Sequence, residues 1–442
     1  MDKREVLKKY FGYDTFREGQ EQLIDSILSG RDTFGIMPTG AGKSVCYQVP
    51  ALLLPGITLV ISPLISLMKD QVEALNQMGI HAAYLNSSLS ASQYRKALAL
   101  AEEGRYKIIY VAPERLVMPD FMHFADRATL SLVTVDEAHC VSQWEQDFRP
   151  GNLKIADFVD QLRQRPPVCA FTATATRKVR DDVALSLRLK DPLILTTGFD
   201  RPNLFFEVRQ GRDKFREVLS LMSQYGKESG IIYCLARKTV EEVCFRLQEK
   251  GVAATRYHAG LSDAERRQNQ EDFINDRRQV MVATNAFGMG IDKADVRFVI
   301  HYNMPKDLES YYQEAGRAGR DGEEAYCLLL YEPLDVRINQ FLIDQDKDND
   351  ALDEDQKLFI REQERERLKQ ITWYCTTNDC LRAYILRYFG EEAPVYCGKC
   401  SNCLTQFEEA DVTAEVSAIL NCIKNTGQRY GIVMITDILR GS

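Results

Sequence analysis

"TFGIMPTGAGKS", residues 33–44, places a short apolar run directly before a glycine-rich segment. The run predicts a buried strand, and the residues after the segment predict a helix. Gly40 and Gly42 let the backbone turn several N–H groups toward phosphate oxygens. Lys43 can reach the β and γ phosphates, and Ser44 can ligate Mg²⁺. The pattern matches a phosphate-binding loop, although a methionine replaces the usual first glycine. The flanking strand and helix favour nucleotide binding over a chance glycine turn.

A second motif, "LVTVDEAH" at residues 132–139, ends another predicted strand with two adjacent carboxylates. Asp136 can hold Mg²⁺, and Glu137 can orient and polarise an attacking water. An Asp-Glu pair at a strand end is commonplace by itself. Together with the phosphate loop it predicts nucleotide hydrolysis.

Apolar runs that alternate with helical stretches predict α/β folding with parallel sheets covered by helices on both faces. The first set of predicted strands is TFGIM (33–37), TLVIS (58–62), KIIYVA (107–112), LSLVTVD (130–136) and VCAFTAT (168–174). The second set is GIIYC (230–234), ATRYH (254–258), QVMVAT (279–284), FVIHY (298–302) and YCLLLY (326–331). The pattern therefore predicts two lobes with a cleft between them, joined near residues 196–203.

Composition limits the class of protein. The 442 residues carry 56 Lys and Arg against 64 Asp and Glu, a net charge of −8, which argues mildly against nucleic acid as a partner. A locally basic groove can overcome that charge. The uncharged run at residues 49–68 has the length of a membrane span, but its prolines and glycine predict a helix end, a turn and a buried strand instead. The charged start predicts no signal peptide and no membrane association.

Four of the 12 cysteines fall in one short window with zinc-ligand spacing. The predicted ligands are Cys380, Cys397, Cys400 and Cys403. Four thiolates around one tetrahedral Zn²⁺ form a closed, structural site. Cys375 lies just outside the window and is an alternative ligand. Disulfides are disfavoured because the absence of a secretion signal indicates a reducing compartment, the cytoplasm.

The motifs, taken in order, resemble those of the RecQ family of DNA helicases in superfamily 2. The resemblance rests on FGYDTFREGQ (11–20), DEAHCVSQW (136–144), FTATAT (171–176), FGMGID (287–292) and YYQEAGRAGRDG (311–322). It covers nearly the whole chain and favours Cys380 over Cys375 as a zinc ligand. It implies two RecA-like doubly wound lobes, residues 1–202 and 203–337. A helical zinc-binding domain at 338–405 and a partial winged helix at 406–442 would follow.

The resemblance also assigns roles around the nucleotide. It implies that Tyr13 and Arg17 sandwich the adenine while Gln20 bonds its edge. Gly288 and Asp292 would lie on the ribose side.

From the second lobe, the resemblance implies that Arg317 and Arg320 complete the site at the γ-phosphate, as arginine fingers do. Gln313 would face the same cleft. Thr172 and Thr174 would link the nucleotide state to lobe closure. The alternative is that they are ordinary β-branched residues at the end of a strand.

The segment after the acidic pair resembles the aromatic-rich loop of RecQ helicases, which senses single-stranded DNA. Trp144 and Phe148 can stack on bases, Arg149 can bind phosphate, and Gln143 precedes them. Thr284 would contact the DNA backbone.

This chain departs from the family pattern inside that loop. The usual Gly-His after the tryptophan is Glu145-Gln146. The amide still forms hydrogen bonds but does not titrate near neutral pH, so weaker coupling between DNA and ATP is expected.

The resemblance predicts an ATP-, Mg²⁺- and Zn²⁺-dependent monomeric 3′→5′ DNA helicase in recombination, repair and replication. Its partners would be single-stranded and forked or duplex DNA, and a single-stranded-DNA-binding protein. The alternatives are an RNA helicase, because DEAH also labels such a family, and a DNA-binding scaffold with weakened ATP coupling.

Overall fold

The computed structural model describes residues 1–142, 154–211, 213–287, 293–345, 354–407 and 410–441. The chain divides into two compact units, Met1–Cys403 and Leu404–Ser442. Among the described residues, no helix combines the length and apolar character that crossing a bilayer requires.

A parallel sheet of seven strands, counted within the described residues, forms the first lobe in the order β3-β4-β2-β5-β6-β1-β7. The strands are β1 Thr33–Ile36, β2 Ile57–Ile61, β3 Ala82–Leu85, β4 Ile108–Val111, β5 Leu130–Val135, β6 Val168–Thr172 and β7 Leu193–Thr196. The helices are α1 Lys3–Val6, continued by a π-helix over Leu7–Phe11, α2 Gln20–Leu28, α3 Lys43–Leu53, α4 Ile65–Gln77, α5 Ala91–Glu102, α6 Pro119–Arg127, α7 Lys154–Gln161 and α8 Arg177–Ser186. Short 3-10 turns cover Pro113–Arg115 and Ala138–Val141.

The side chains of successive residues in a central strand pack into different apolar cores, one on each face of the sheet. In β2, Leu59 and Ile61 belong to one buried cluster, while Val60 between them belongs to another. Because side chains alternate across a strand, both faces of the sheet are covered, as expected for parallel strands.

The second lobe is another parallel sheet, with six strands in the described part of the chain ordered β10-β11-β9-β12-β13-β8. Its strands are β8 Leu204–Gln210, β9 Gly230–Tyr233, β10 Ala254–Tyr257, β11 Val280–Ala283, β12 Phe298–His301 and β13 Ala325–Tyr331. Its helices are α9 Lys214–Tyr225, α10 Arg237–Glu249, α11 Asp263–Ile274 and α12 Leu308–Ala315. We call residues 197–203, between β7 and β8, the hinge segment.

Among the described residues, four helices lie between the second sheet and residue 405: α13 Pro333–Gln345, α14 Glu354–Thr376, α15 Leu381–Tyr388 and α16 Ser401–Leu404. The predicted domain boundary at residue 337 falls within α13. Packing of α14 onto α12 uses aromatic side chains, with the rings of Tyr311 and Tyr374 centred 5.2 Å apart. In the second compact unit, α17 Thr413–Asn425 packs on α18 Ile432–Arg440.

The two-lobe α/β prediction is confirmed, and each predicted strand corresponds to an observed one. Residues 49–61 form the end of α3, a turn and β2, as predicted, although α3 continues through Pro50, and residues 65–68 already belong to α4. Three strands were not predicted, namely β3, β7 and β8, and each lies at the edge of its sheet. An edge strand pairs on one side only, so its sequence need not be a continuous apolar run.

An ion pair connects the amino-terminal ends of strands in the first sheet, at the opposite end of the strands from the phosphate loop. Asp32 is 3% exposed, and its two carboxylate oxygens accept hydrogen bonds from both terminal nitrogens of Arg165, at 3.0 and 2.6 Å. The same oxygens accept the backbone N–H groups of Val168, at 2.8 Å, and Lys190, at 2.7 Å. One carboxylate thus joins the start of β1 to the start of β6 and to the segment that enters β7.

We expect Asp32→Asn to lower the free energy of unfolding of the first lobe by about 3 kcal/mol, because it leaves the Arg165 guanidinium, on a side chain only 19% exposed, without its counter-charge. Urea denaturation followed by circular dichroism measures this change. The matched control is Asp191→Asn, since Asp191 pairs with Arg31 at 3.4 Å but its side chain is 95% exposed. Equal shifts in the two variants would contradict a structural role for the buried pair.

Candidate active site and metal centre

The phosphate loop, residues 37–44, connects β1 to α3 and lies at the carboxyl end of the first sheet. Gly40 and Gly42 have φ angles of +87° and +82°, a region that side-chain-bearing residues rarely adopt. A Cβ at Gly42 would lie 2.5 Å from Nε2 of Gln20, and one at Gly40 would lie 3.2 Å from Cγ of Arg320. The positive φ angles therefore favour glycine at these positions, and an added Cβ would also displace the Gln20 and Arg320 side chains.

The predicted adenine-binding residues hold the phosphate loop from one side. Gln20 is buried, and its Nε2 donates to the carbonyls of Ala41 and Gly42, each at 3.1 Å, while its Oε1 accepts the backbone N–H of Arg17 at 2.8 Å. The Arg17 guanidinium donates to the Gly40 carbonyl. Contact of the Gln20 amide with an adenine edge would require it to exchange these partners.

Tyr13 lies near this contact in the sequence and is exposed, with 53% of its surface accessible. An exposed ring is available for stacking on a base, as the sequence predicts.

Two cationic side chains, Lys43 and Arg320, lie close to the two carboxylates of Asp136 and Glu137 at the phosphate loop. Burial raises the pKa of Asp136 to about 7, and the neighbouring charge of Glu137 adds to this effect, whereas Lys43 opposes it. Loss of solvent also lowers the pKa of Lys43, a change that the two carboxylates oppose and Arg320 reinforces. A Mg²⁺–nucleotide complex would relieve both shifts, because it brings a cation to the carboxylate and phosphate charge to the lysine.

Ser44 begins α3 with Lys43 and is half-buried. Its side chain lies close to the buried Tyr47 hydroxyl. The other predicted Mg²⁺ ligand, Asp136, directly follows β5 and is 5% exposed. The oxygen chemistry of these two residues fits Mg²⁺.

A chain of close contacts leads from Glu137 of the acidic pair to the predicted closure residues, and its hydrogen-bonded part joins His139 to Thr172 and Thr174. The Thr172 hydroxyl donates to the Thr174 carbonyl at 3.0 Å, so Nδ1 of His139 must donate to that hydroxyl across 2.8 Å. The same Nδ1 lies 3.4 Å from a carboxylate oxygen of Glu137. Glu137 has a φ of +49°, a strained conformation for a residue with a side chain. His139 was missed as a site residue, although it is part of the quoted DEAH motif.

The arginine loop, residues 316–322, approaches the phosphate loop from the second lobe. Arg320 contacts Gly40 through its side-chain carbons and lies close enough to Lys43 to lower its pKa. Arg317 is buried and forms a hydrogen bond with Tyr233 inside the second lobe. Gln313 lies on α12, just before the loop, and is half-buried. The geometry brings Arg320 to the phosphate loop more directly than Arg317.

Arg201, which sequence analysis did not single out, crosses between the two loops. One of its terminal nitrogens donates to the carbonyls of Thr39 and Gly316, each at 3.1 Å. The other donates to the carbonyls of Ala318, at 2.8 Å, and Gly319, at 2.9 Å. Burial lowers the pKa of this guanidinium.

The predicted DNA contacts are only partly described. Thr284 follows β11 and is 9% exposed, so little of its side chain is accessible to a strand. The aromatic-loop residues Gln143, Trp144, Phe148 and Arg149 lie outside the described residues, as do Gly288 and Asp292.

The four predicted zinc ligands form one cluster in which all Sγ atoms lie within 4.8 Å of one another. The Sγ atoms of Cys397 and Cys403 are 3.9 Å apart, as are those of Cys380 and Cys400. Tetrahedral Zn²⁺ with bonds of about 2.3 Å requires sulfur separations of about 3.8 Å, so the cluster fits this ion. Among the described residues, Cys375 is buried on α14 and is not part of the cluster. We call residues 380–403 the zinc segment.

Family models account for nearly the whole chain. A DEAD/DEAH box helicase model matches residues 17–182, and a helicase conserved C-terminal domain matches residues 213–322. A RecQ zinc-binding model matches residues 333–404, and an RQC domain model matches residues 406–442.

Full-length similarity identifies the family. ATP-dependent DNA helicase RecQ of Bacillus subtilis (strain 168) is 46% identical over 438 residues, which cover 99% of this chain and 73% of that protein. The protein of the same name from Pasteurella multocida (strain Pm70) is 41% identical over 442 residues, 99% of this chain and 68% of that protein. The chain belongs to the RecQ family. It is an ATP-dependent DNA helicase that uses ATP, Mg²⁺ and a structural Zn²⁺, and the predicted family is confirmed.

Solved structures with lower identity share the fold of this RecQ-family chain. The helicase MrfA bound to DNA has a TM-score of 0.63 at 17% identity, with 89% of this chain and 56% of that chain covered. The DEAD-box helicase Mss116 bound to single-stranded RNA has a TM-score of 0.64 at 17% identity, with 90% and 92% covered.

Zinc stoichiometry tests the cysteine assignment. We expect about one zinc per chain by metal analysis, and we expect Cys397→Ser to lower both zinc content and melting temperature, because a structural site stabilises its fold. Cys375→Ser is the matched control and should retain zinc. Zinc loss in the Cys375 variant with retention in the Cys397 variant would reverse the assignment.

The raised pKa of Asp136 predicts that protons compete with Mg²⁺. Below pH 7 the carboxyl is increasingly protonated, so the apparent Mg²⁺ affinity with a non-hydrolysable ATP analogue should fall, approaching about tenfold per pH unit. Glu137→Gln removes a charge that raises this pKa, so the midpoint should move to lower pH. Calorimetric titrations measure the affinity, with the analogue's own Mg²⁺ binding subtracted. A pH-independent affinity would contradict the assignment of Asp136 as a ligand.

Proposed function

We propose that this RecQ-family chain hydrolyses ATP between its two lobes, moves 3′→5′ along single-stranded DNA and unwinds duplex DNA. The observation that carries the proposal is the proximity of Lys43, Asp136 and Glu137 of the first lobe to Arg320 of the second. Hydrolysis that needs residues from both lobes makes the nucleotide state and the lobe arrangement depend on each other.

The proposed roles follow from position and chemistry. Backbone N–H groups of the phosphate loop and Lys43 bind the phosphates, while Glu137 orients the attacking water. Ser44 and Asp136 would hold Mg²⁺, which would supply neutralising charge at the phosphate oxygens. Arg320 stabilises charge that develops in the transition state.

Arg317 has a proposed supporting role within the second lobe, where it interacts with Tyr233. Gln313, on α12 before the arginine loop, is proposed to face the γ-phosphate side of the cleft. Tyr13, Arg17 and Gln20 are proposed to hold the base.

The proposed coupling path begins at Glu137 and runs through His139 to Thr172. His139 lies directly before Cys140, where the predicted aromatic loop, CVSQWEQDFRP, begins. A strand bound by that loop could therefore change the orientation of Glu137 through the imidazole. Gly288, Asp292 and Thr284 keep their predicted ribose and DNA roles as proposals.

Alternating grip by the two lobes would convert each cycle of closure and opening into a step along the strand. Opening a base-pair step costs about 1.4 kcal/mol of stacking on average, a modest load for a motor that hydrolyses one ATP per step. We also propose that the chain acts as a monomer in the cytoplasm, near the nucleoid, with a single-stranded-DNA-binding protein as a partner. Roles in recombination, repair and replication are consistent with its RecQ relatives.

Movement along DNA is tested with streptavidin displaced from biotinylated oligonucleotides. We expect ATP-dependent displacement from the 5′ end, which a 3′→5′ motor reaches, and little from the 3′ end. Lys43→Ala should abolish it, because the phosphates lose their principal cation. Lys96→Ala on the exposed surface of α5 is the control and should move normally.

The same assay with RNA oligonucleotides separates the alternatives. Faster displacement on RNA than on DNA would favour an RNA helicase, the activity suggested by the DEAH motif. Normal ATP hydrolysis without streptavidin displacement from either DNA or RNA would indicate that the protein is a nucleic-acid clamp rather than a motor.

A further inference from the structure

The hinge segment is held by the zinc segment rather than only by the two lobes that it joins. The backbone N–H of Phe199 donates to a carboxylate oxygen of Glu391 at 2.8 Å. The Phe199 ring stacks on Phe389, with centroids 4.4 Å apart and an interplanar angle of 16°. On the other side, the Tyr312 hydroxyl of α12 donates to the Phe199 carbonyl at 2.6 Å. The position of this residue is therefore fixed by the zinc segment and by the helix that leads into the arginine loop.

Arg382 makes the closest connection between the zinc segment and the hinge. It lies in the first turn of α15, two residues after the zinc ligand Cys380, and is 5% exposed. One terminal nitrogen donates to the carboxylate of Asp200 at 2.7 Å and to the carbonyl of Arg201 at 2.6 Å. The other donates to the carbonyl of Leu204. A single guanidinium thus holds the Asp200 side chain and the backbone carbonyls of Arg201 and Leu204.

A zinc ligand and Arg382 also both contact Phe206 in β8, the strand that follows the hinge segment. The backbone of Cys400 forms a bridge with that of Phe206 in β8. The Arg382 guanidinium lies 5.5 Å from the centre of the Phe206 ring. The geometry of the metal cluster consequently determines where Arg382 meets the hinge.

The Arg201 side chain extends from this fixed backbone into the seam between the lobes. All four of its acceptors given above are backbone carbonyls, one in the phosphate loop and three in the arginine loop. These bonds can form together only when the two loops lie side by side. A Cβ at Gly316 would lie 3.6 Å from Cβ of Thr39, which is ordinary van der Waals contact. Arg201 therefore stabilises the closed arrangement in which Arg320 contacts Gly40.

We infer that Arg382 and Arg201 form a relay through which the zinc segment positions the arginine loop against the phosphate loop. The inference rests on the proposed function, because it assumes that the arginine loop completes the ATP site. Both members are positioning residues rather than catalytic ones. The zinc centre thereby gains a role in hydrolysis beyond stabilising its own fold.

Lysine substitutions test the relay without removing charge. Lysine retains the positive charge, but it cannot reproduce the planar fork that reaches acceptors in several directions at once. In Arg382→Lys and Arg201→Lys we expect kcat for DNA-stimulated ATP hydrolysis to fall on the order of 10–100-fold, as small misplacements of reacting groups do. The affinity for a fluorescent ATP analogue should change by no more than about twofold, because the phosphate loop is intact.

Two controls accompany these variants. Arg387→Lys lies on the exposed surface of the same helix, α15, and should match the wild type in kcat and zinc content. Zinc analysis of each variant ensures that a fall in kcat does not reflect metal loss. The double variant Arg201→Lys/Arg382→Lys should be little slower than the slower single variant, since both act on one path.

Three results would overturn the relay. They are wild-type kcat in the zinc-loaded Arg382 variant, multiplicative effects in the double variant, or a fall in nucleotide affinity equal to the fall in kcat. If Arg382→Lys does not fold, Asp200→Ala decides the matter, because it removes one acceptor of Arg382 at a half-exposed side chain. A lower kcat there supports the relay, and an unchanged kcat overturns it. A wild-type chain without DNA-stimulated hydrolysis would instead contradict the proposed function.

Discussion

The Arg201 guanidinium between the phosphate loop and the arginine loop is the interaction on which the arrangement of the ATP site depends. Each lobe has its own sheet, so nothing within one sheet holds the two loops together. Four carbonyls converge on this side chain and satisfy its terminal donors. Since the guanidinium stays charged when buried, the contact is lost only when the loops separate. These hydrogen bonds therefore stabilise the closed cleft.

Charge arrangement explains why such a seam suits a nucleotide. Asp136 and Glu137 directly follow β5, and burial raises the pKa of Asp136, an effect that the charge of Glu137 reinforces. Lys43 and Arg320 are two like charges that face the same space. A polyphosphate with Mg²⁺ supplies the opposite charge to each pair. Binding of substrate consequently relieves two unfavourable interactions that the protein maintains in its absence.

Local motifs made the phosphate loop, the acidic pair and the four cysteines predictable from sequence. In each case the functional atoms lie within a few residues or follow a metal-ligand spacing. Arg201 and Arg382 were not predictable in this way, because their acceptors are backbone carbonyls from distant segments and leave no residue pattern. The strands β3, β7 and β8 were missed for a related reason, since edge pairing requires less apolar sequence. His139 was overlooked although the motif contains it.

The most direct test of the central claim is the ATP hydrolysis rate of this 442-residue chain with and without single-stranded DNA. The account predicts that single-stranded DNA stimulates hydrolysis, because the described path from Glu137 through His139 leads toward the predicted DNA-sensing loop. Stimulation would also mean that Glu145-Gln146, in place of the family's Gly-His, still permits coupling. A rate that does not respond to DNA would contradict the coupling of hydrolysis to the strand and reduce the proposal to a nucleotide-binding DNA clamp.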